Sequence, residues 1–214
     1  MQTILFQGDS ITDCGRNRNL FDSMGAGYAT MVAGALGEKE PYQYTFLNRG
    51  ISGNRSIDVF ARIKCDTINL KPDYLSILMG VNDAWHDYTN QNGIDAVTFE
   101  KLYCMMIEQL QWELPNTKLM ILEPFVLPGT KTCATEEFPD RWEFFSREVP
   151  LRAQAAKRVA EKYGVVFVPL QALFDEVEAG APAPGYWLVD GVHPSKAGHE
   201  LIKREWLKGF EKLR

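Results

Sequence analysis

The sequence predicts an α/β fold: three layers, α/β/α, around a doubly wound, five-stranded parallel sheet. Three observations predict it. Five short β-rich runs punctuate the chain, largely apolar and without strict polar alternation, as suits parallel strands covered on both faces. Helical stretches separate successive runs, giving the βαβ alternation of a wound sheet. The 214 residues, 45% hydrophobic and 24% charged, are enough for one domain with a sizeable core, and no composition shift divides residues 1–214.

The elements follow in order. Strands are expected at Thr3 to Phe6, Tyr44 to Asn48, Tyr74 to Met79, Lys118 to Leu122 and Val165 to Val168. Helices are expected at Tyr28 to Leu36, Ile57 to Thr67, Thr98 to Glu113 and Arg141 to Tyr163, the last interrupted near Pro150, whose ring opposes a continuous helix. A final helix from Lys196 to Leu213 closes the chain. Leu102, Met105, Met106 and Leu110 read as a helix face that packs on the sheet. The long stretch Glu123 to Asp140, with Pro124, Pro128, Gly129 and Pro139, reads as a loop overhanging one sheet edge.

Composition excludes several classes of function. A formal charge of -5 disfavours nucleic acid, whose binding depends on clustered Lys and Arg. No apolar stretch approaches the roughly 20 residues of a membrane-spanning helix. Cys14, Cys65, Cys104 and Cys133 form no C-x-x-C pair, which argues against a zinc or redox motif and reads as free thiols in a reducing compartment. With no signal-peptide pattern at Met1-Gln2-Thr3, a cytoplasmic location is expected.

In open α/β sheets ligands bind beyond the carboxyl ends of strands, so chemical residues should follow strands. Ser10 follows the first run, Gly53 the second and Asn82 the third. Serine is a weak nucleophile at neutral pH and needs a base, with a carboxylate to orient that base. Asp190 stands three residues before His193 and can do this. Asp83 and His86 share that spacing, so spacing alone does not separate the two histidines. His199, within the last helix, reads as a solvated surface residue. Acyl transfer passes through a tetrahedral oxyanion, and the N–H groups of Ser10 and Gly53 with the side-chain amide of Asn82 can form its hole.

Aromatic residues flank these positions: Trp85, His86 and Tyr88 follow Asn82, and Tyr186 and Trp187 precede Asp190. Such faces can stack on sugars. Trp85, Trp187 and Asp9, the neighbour of the nucleophile, are therefore the expected substrate contacts.

The four blocks Gly8-Asp9-Ser10-Ile11-Thr12, Gly53, Gly80-Val81-Asn82-Asp83 and Asp190-Gly191-Val192-His193 occur in the order of the SGNH, or GDSL-type, hydrolase superfamily, which the chain resembles over nearly its whole length. The resemblance implies a flavodoxin-like sheet, serine ester hydrolysis without metal or cofactor, and His193 as the base, since Asp83 belongs to the asparagine block. The flanks Thr12-Asp13-Cys14-Gly15-Arg16, Asn48-Arg49-Gly50-Ile51-Ser52-Gly53-Asn54 and His193-Pro194-Ser195 with Ala197-Gly198-His199 resemble the intracellular acetylxylan esterase branch. That similarity implies an acetylated xylo-oligosaccharide substrate and a protein often found as an oligomer. A lysophospholipase or thioesterase with the same site, and a catalytically silent carbohydrate-binding protein, are the competing readings.

Overall fold

Five parallel strands form one sheet in the order β2-β1-β3-β4-β5, as seen in a computed structural model describing residues 1–214. They are β1 (Gln2–Gly8), β2 (Tyr44–Asn48), β3 (Tyr74–Leu78), β4 (Lys118–Leu122) and β5 (Val166–Val168). Nine helices connect and cover them: α1 (Ser10–Asp13), α2 (Tyr28–Lys39), α3 (Ser56–Ala61), α4 (Ile63–Asp66), α5 (Val81–Asn90), α6 (Ala96–Glu113), α7 (Arg141–Tyr163), α8 (Gln171–Glu178) and α9 (Lys196–Glu211). The expected three-layer, doubly wound sheet is the observed architecture.

Alternation along the strands builds two cores. In β1, Ile4 and Phe6 face one side with Tyr28 and Val32 of α2 and Trp206 and Phe210 of α9. Leu5 faces the other, with Val59 of α3, Met106 and Leu110 of α6 and Val159 of α7. Both faces are apolar because helices cover both, which is why no polar alternation shows in the sequence. Register places Phe6 beside Asn48 and Gly8 beside Leu78, so β1, β2 and β3 end together at one sheet edge.

The helices differ from expectation in several respects. Residues 57–67 form α3 and α4, which meet at Arg62 (φ -107°, ψ 5°). The turn there lets the Arg62 guanidinium reach Gly8 O (3.0 Å), Arg49 O (2.8 Å) and Asn54 Oδ1 (2.7 Å). Pro150 does not interrupt α7, which runs unbroken for 23 residues. Met105 points outward at 51% exposure while Met106 is buried. Finally, α5 and α8 fall where no helix was expected: α5 starts three residues after β3 ends, so no loop signal separates strand from helix.

Candidate active site

The turn after β1 presents the nucleophile. Asp9 caps α1, its Oδ1 accepting the N–H of Ile11 (3.0 Å), and Ser10 begins the helix. Asp9 is thus wholly buried beneath the turn, with Oδ2 left unpartnered. This corrects the expectation that Asp9 touches substrate. Burial pushes its carboxyl up to about 7, against the hydrogen bond from Ile11 and the field of His193.

From the far end of the chain, a tight turn supplies base and orienter. Val189 N–H donates to His193 O (2.8 Å), closing the turn. Gly191 sits in it at φ 95°, and a Cβ there would lie 2.2 Å from Thr132 Oγ1, so no other residue fits. Asp190 Oδ1 accepts the N–H groups of Val192 (3.0 Å) and His193 (2.8 Å). Its Oδ2 lies 2.8 Å from His193 Nδ1, and His193 Nε2 lies 2.9 Å from Ser10 Oγ. A carboxylate only accepts, which assigns the ring proton to Nδ1 and leaves Nε2 free to accept from the serine hydroxyl.

Burial opposes ionisation of Asp190, but hydrogen bonds from the His193 side chain and N–H, from Lys131 and from Val192 outweigh it. The carboxyl is held well below the usual carboxylate range. Lys131 Nζ lies 2.9 Å from the same Oδ2 that faces His193. It comes from the Glu123 to Asp140 loop, which does overhang this edge: Lys131 N–H donates to Asp190 O (3.0 Å) and Leu127 N–H to Gly191 O (2.9 Å). Sequence reasoning missed Lys131, although it is the one basic residue in that loop.

Gly53 and Asn82 arrive from β2 and β3. Gly53 adopts φ 82°, and its carbonyl oxygen is 3.1 Å from His86 Nε2, whose Nδ1 is 3.0 Å from Asn90 Nδ2. Asn82 Nδ2 donates to Asn54 O (3.2 Å). His86 therefore braces the glycine block instead of pairing with Asp83, which is turned to the N–H and hydroxyl of Ser56. Burial pushes the Asp83 carboxyl up to about 6 despite those bonds.

Ser10, Gly53, Asn82, Trp85, His86, Lys131 and His193 line one open cavity of about 490 Å³. Trp85 is stacked on Phe145 with centroids 5.1 Å apart, which fixes its ring at the wall. Trp187 is not brought there: its indole N–H donates to Val177 O (3.0 Å) and its ring packs on Tyr186. His199 is no surface residue either. It is 4% exposed, and Nδ1 accepts the N–H of Tyr28 (3.1 Å) at the start of α2. Burial pushes it down to about 4.

A serine in hydrogen-bond contact with an imidazole that a buried carboxylate orients, beside a glycine and an asparagine, is the constellation of a serine ester hydrolase. The chain belongs to the GDSL-like lipase/acylhydrolase family, whose model matches residues 6–201, and it is a carboxylic ester hydrolase. It is 36% identical over 223 aligned positions to an acetylxylan esterase of Geobacillus stearothermophilus, covering 100% of this chain and 96% of that protein. Among solved structures it is similar to a GDSL-like lipase of Parabacteroides merdae (36% identity, TM-score 0.87, 97% of this chain and 94% of that one). It is also similar to the acetylxylan esterase Axe2 of G. stearothermophilus (32% identity, TM-score 0.81, 97% and 93% covered). Catalytic mutants of Axe2 replace a serine or an aspartate by alanine.

Proposed function

We propose that the protein removes acetyl groups from acetylated xylo-oligosaccharides through an acetyl-serine intermediate. The observation that carries the reading is the Ser10–His193–Asp190 chain, with contacts of 2.9 and 2.8 Å, opening into the cavity beside Gly53 and Asn82. His193 Nε2 takes the hydroxyl proton as Ser10 Oγ attacks the acetyl carbonyl. Developing negative charge on the carbonyl oxygen is met by the N–H groups of Ser10 and Gly53 and the Asn82 amide. The imidazolium, stabilised by Asp190, then protonates the departing sugar oxygen. Water attacks the acetyl-serine with His193 again as base, and acetate leaves.

Trp85 and Val192 are the only large apolar groups lining the cavity, which otherwise presents hydroxyl, amide, imidazole and ammonium groups. A long acyl chain would find little to bury against, whereas a sugar ring can stack on Trp85 and hydrogen-bond to the rest. This favours the acetyl-sugar reading over a lysophospholipase or thioesterase. Similarity to the acetylxylan esterases supports it. The four free cysteines, Cys65 among them exposed, fit a reducing cytoplasm.

The test is acetate release from acetylated xylo-oligosaccharides beside hydrolysis of acetyl and octanoyl p-nitrophenyl esters. Sugar deacetylation that disappears in Ser10→Ala is expected. Octanoyl turnover exceeding acetyl turnover, without sugar deacetylation, would overturn the substrate assignment and keep the triad.

A further inference from the structure

Buried charges in proteins are normally paired, because an unpaired ion loses hydration without compensation. Arg152 has Glu148, Asp13 has Arg18 and Asp190 has Lys131, while Asp9 and Asp83, which lack a cation, are pushed by burial toward their neutral forms. Arg49 has no such partner. It stands just after β2 at 6% exposure, its Nη1 donates to the carbonyls of Asn48 (2.9 Å) and Phe21 (3.0 Å), and its Cζ lies 4.4 Å over the Phe21 ring. No carboxylate comes within ion-pair range of it. Beside it Arg16 is also without a carboxylate partner, and donates through Nε to Gly50 O (2.8 Å).

Both arginines line a cleft of about 240 Å³, together with Arg18, Phe21, Cys65 and Asp66. The Asp66 carboxylate is engaged by Arg62 at 2.7 Å. Around the cleft stand four guanidiniums, Arg16, Arg18, Arg49 and Arg62, against two carboxylates, Asp13 and Asp66, an excess of two positive charges in a chain of net charge -5. Desolvation lowers the pKa of both Arg16 and Arg49; at Arg16, Asp13 opposes that fall while Arg49 and Arg18 add to it. The backbone carbonyls that Arg16, Arg49 and Arg62 hold account for their reach, since they fasten residues 48–50 ahead of Gly53. They do not account for the uncompensated charge.

We propose that this cleft binds a phosphate dianion, free or carried by a sugar phosphate, on the guanidiniums of Arg16 and Arg49 with Arg18 at the rim. A dianion matches the excess of two charges, and guanidinium forks suit phosphate oxygens by geometry as well as by charge. The cleft is separate from the catalytic cavity and shares no lining residue with it. Occupancy relieves the repulsion between the two arginines and steadies the segment that leads to Gly53.

Thermal unfolding and titration calorimetry with inorganic phosphate and with glucose 6-phosphate, against chloride at equal ionic strength, test this. At ten times the dissociation constant the melting temperature of the wild type should rise by about 4 °C. Arg16→Gln and Arg49→Gln should abolish the rise, and Arg18→Gln should reduce it. If Arg49→Gln fails to fold, the half-buried Arg16 variant carries the test. A larger response to glucose 6-phosphate identifies the esterified source, and equal responses identify free phosphate. The proposal fails if neither compound shifts the wild type at about 10 mM, which reveals sites down to millimolar affinity. It fails equally if Arg16→Gln shifts as much as wild type.

Discussion

Lowering the pH should unfold this protein partly through one buried imidazole, His199. Gly27, the residue before α2, brings no side chain to cap that helix, so His199 Nδ1 accepts the orphan N–H of Tyr28 across 171 residues of sequence. A backbone N–H only donates, which puts the ring proton on Nε2, 3.4 Å from Cys14 Sγ. A second proton on Nδ1 would meet the Tyr28 N–H head-on and place a charge where 4% of the residue is exposed. The folded-state pKa of about 4 lies below the ordinary 6.5, so the unfolded chain binds the proton more readily. The stability involved is fully present above pH 6.5 and is lost as pH falls toward 4. The difference corresponds to about 3 kcal/mol. Denaturant unfolding of wild type and His199→Gln at pH 7.5, 5.5 and 4 measures it, since the glutamine amide has no proton to gain. Wild type should be the more stable at pH 7.5, and its advantage should shrink by about 3 kcal/mol on reaching pH 4. Parallel pH profiles for the two proteins would refute the reasoning.

Asp9 works in the opposite sense: its folded pKa of about 7 exceeds the ordinary 3.8, so stability is greatest below pH 3.8 and declines as pH rises through 7. Asp9→Asn, which keeps the cap oxygen, should be more stable than wild type at pH 8 and should lose that advantage near pH 4, as read by denaturant midpoints. Ser10→Ala should abolish ester turnover while leaving the circular dichroism melt unchanged. Asp190→Asn should lower kcat by about 10⁴-fold, because the imidazole loses its orienting acceptor while the nucleophile and oxyanion donors remain. Lys131→Gln should lower kcat/KM for p-nitrophenyl acetate several-fold, since the ammonium lies 2.9 Å from the Asp190 Oδ2 that orients the imidazole. Lys131→Arg should keep most of that rate.

Legibility in the sequence followed locality. The sheet was legible because parallel strands buried on both faces appear as short apolar runs. The places of Ser10, Gly53 and Asn82 were legible because residues following such strands gather at one edge. Helix α5 was not, since Gly80 passes directly from strand to helix at φ 132° and leaves no turn residues between. Trp187 lies only three residues before Asp190, yet the turn between them sends its indole to Val177 O. Sequence proximity to a functional residue thus says nothing about which side of the backbone a side chain takes.

His199, Lys131 and Arg49 show the wider reason. Each is polar, and each takes its character from a partner, or the lack of one, far away in the chain: Tyr28 for His199, Asp190 for Lys131, and no carboxylate at all for Arg49. A histidine on a helix gives no local sign that it caps another helix, and an arginine after a strand gives none that it is buried unpaired. The catalytic blocks escape this because ester hydrolysis needs fixed residue types at strand ends, so chemistry constrains them beyond what folding does. The surrounding charges are free to differ at equal fold. They are where this chain can vary while its catalytic blocks stay fixed.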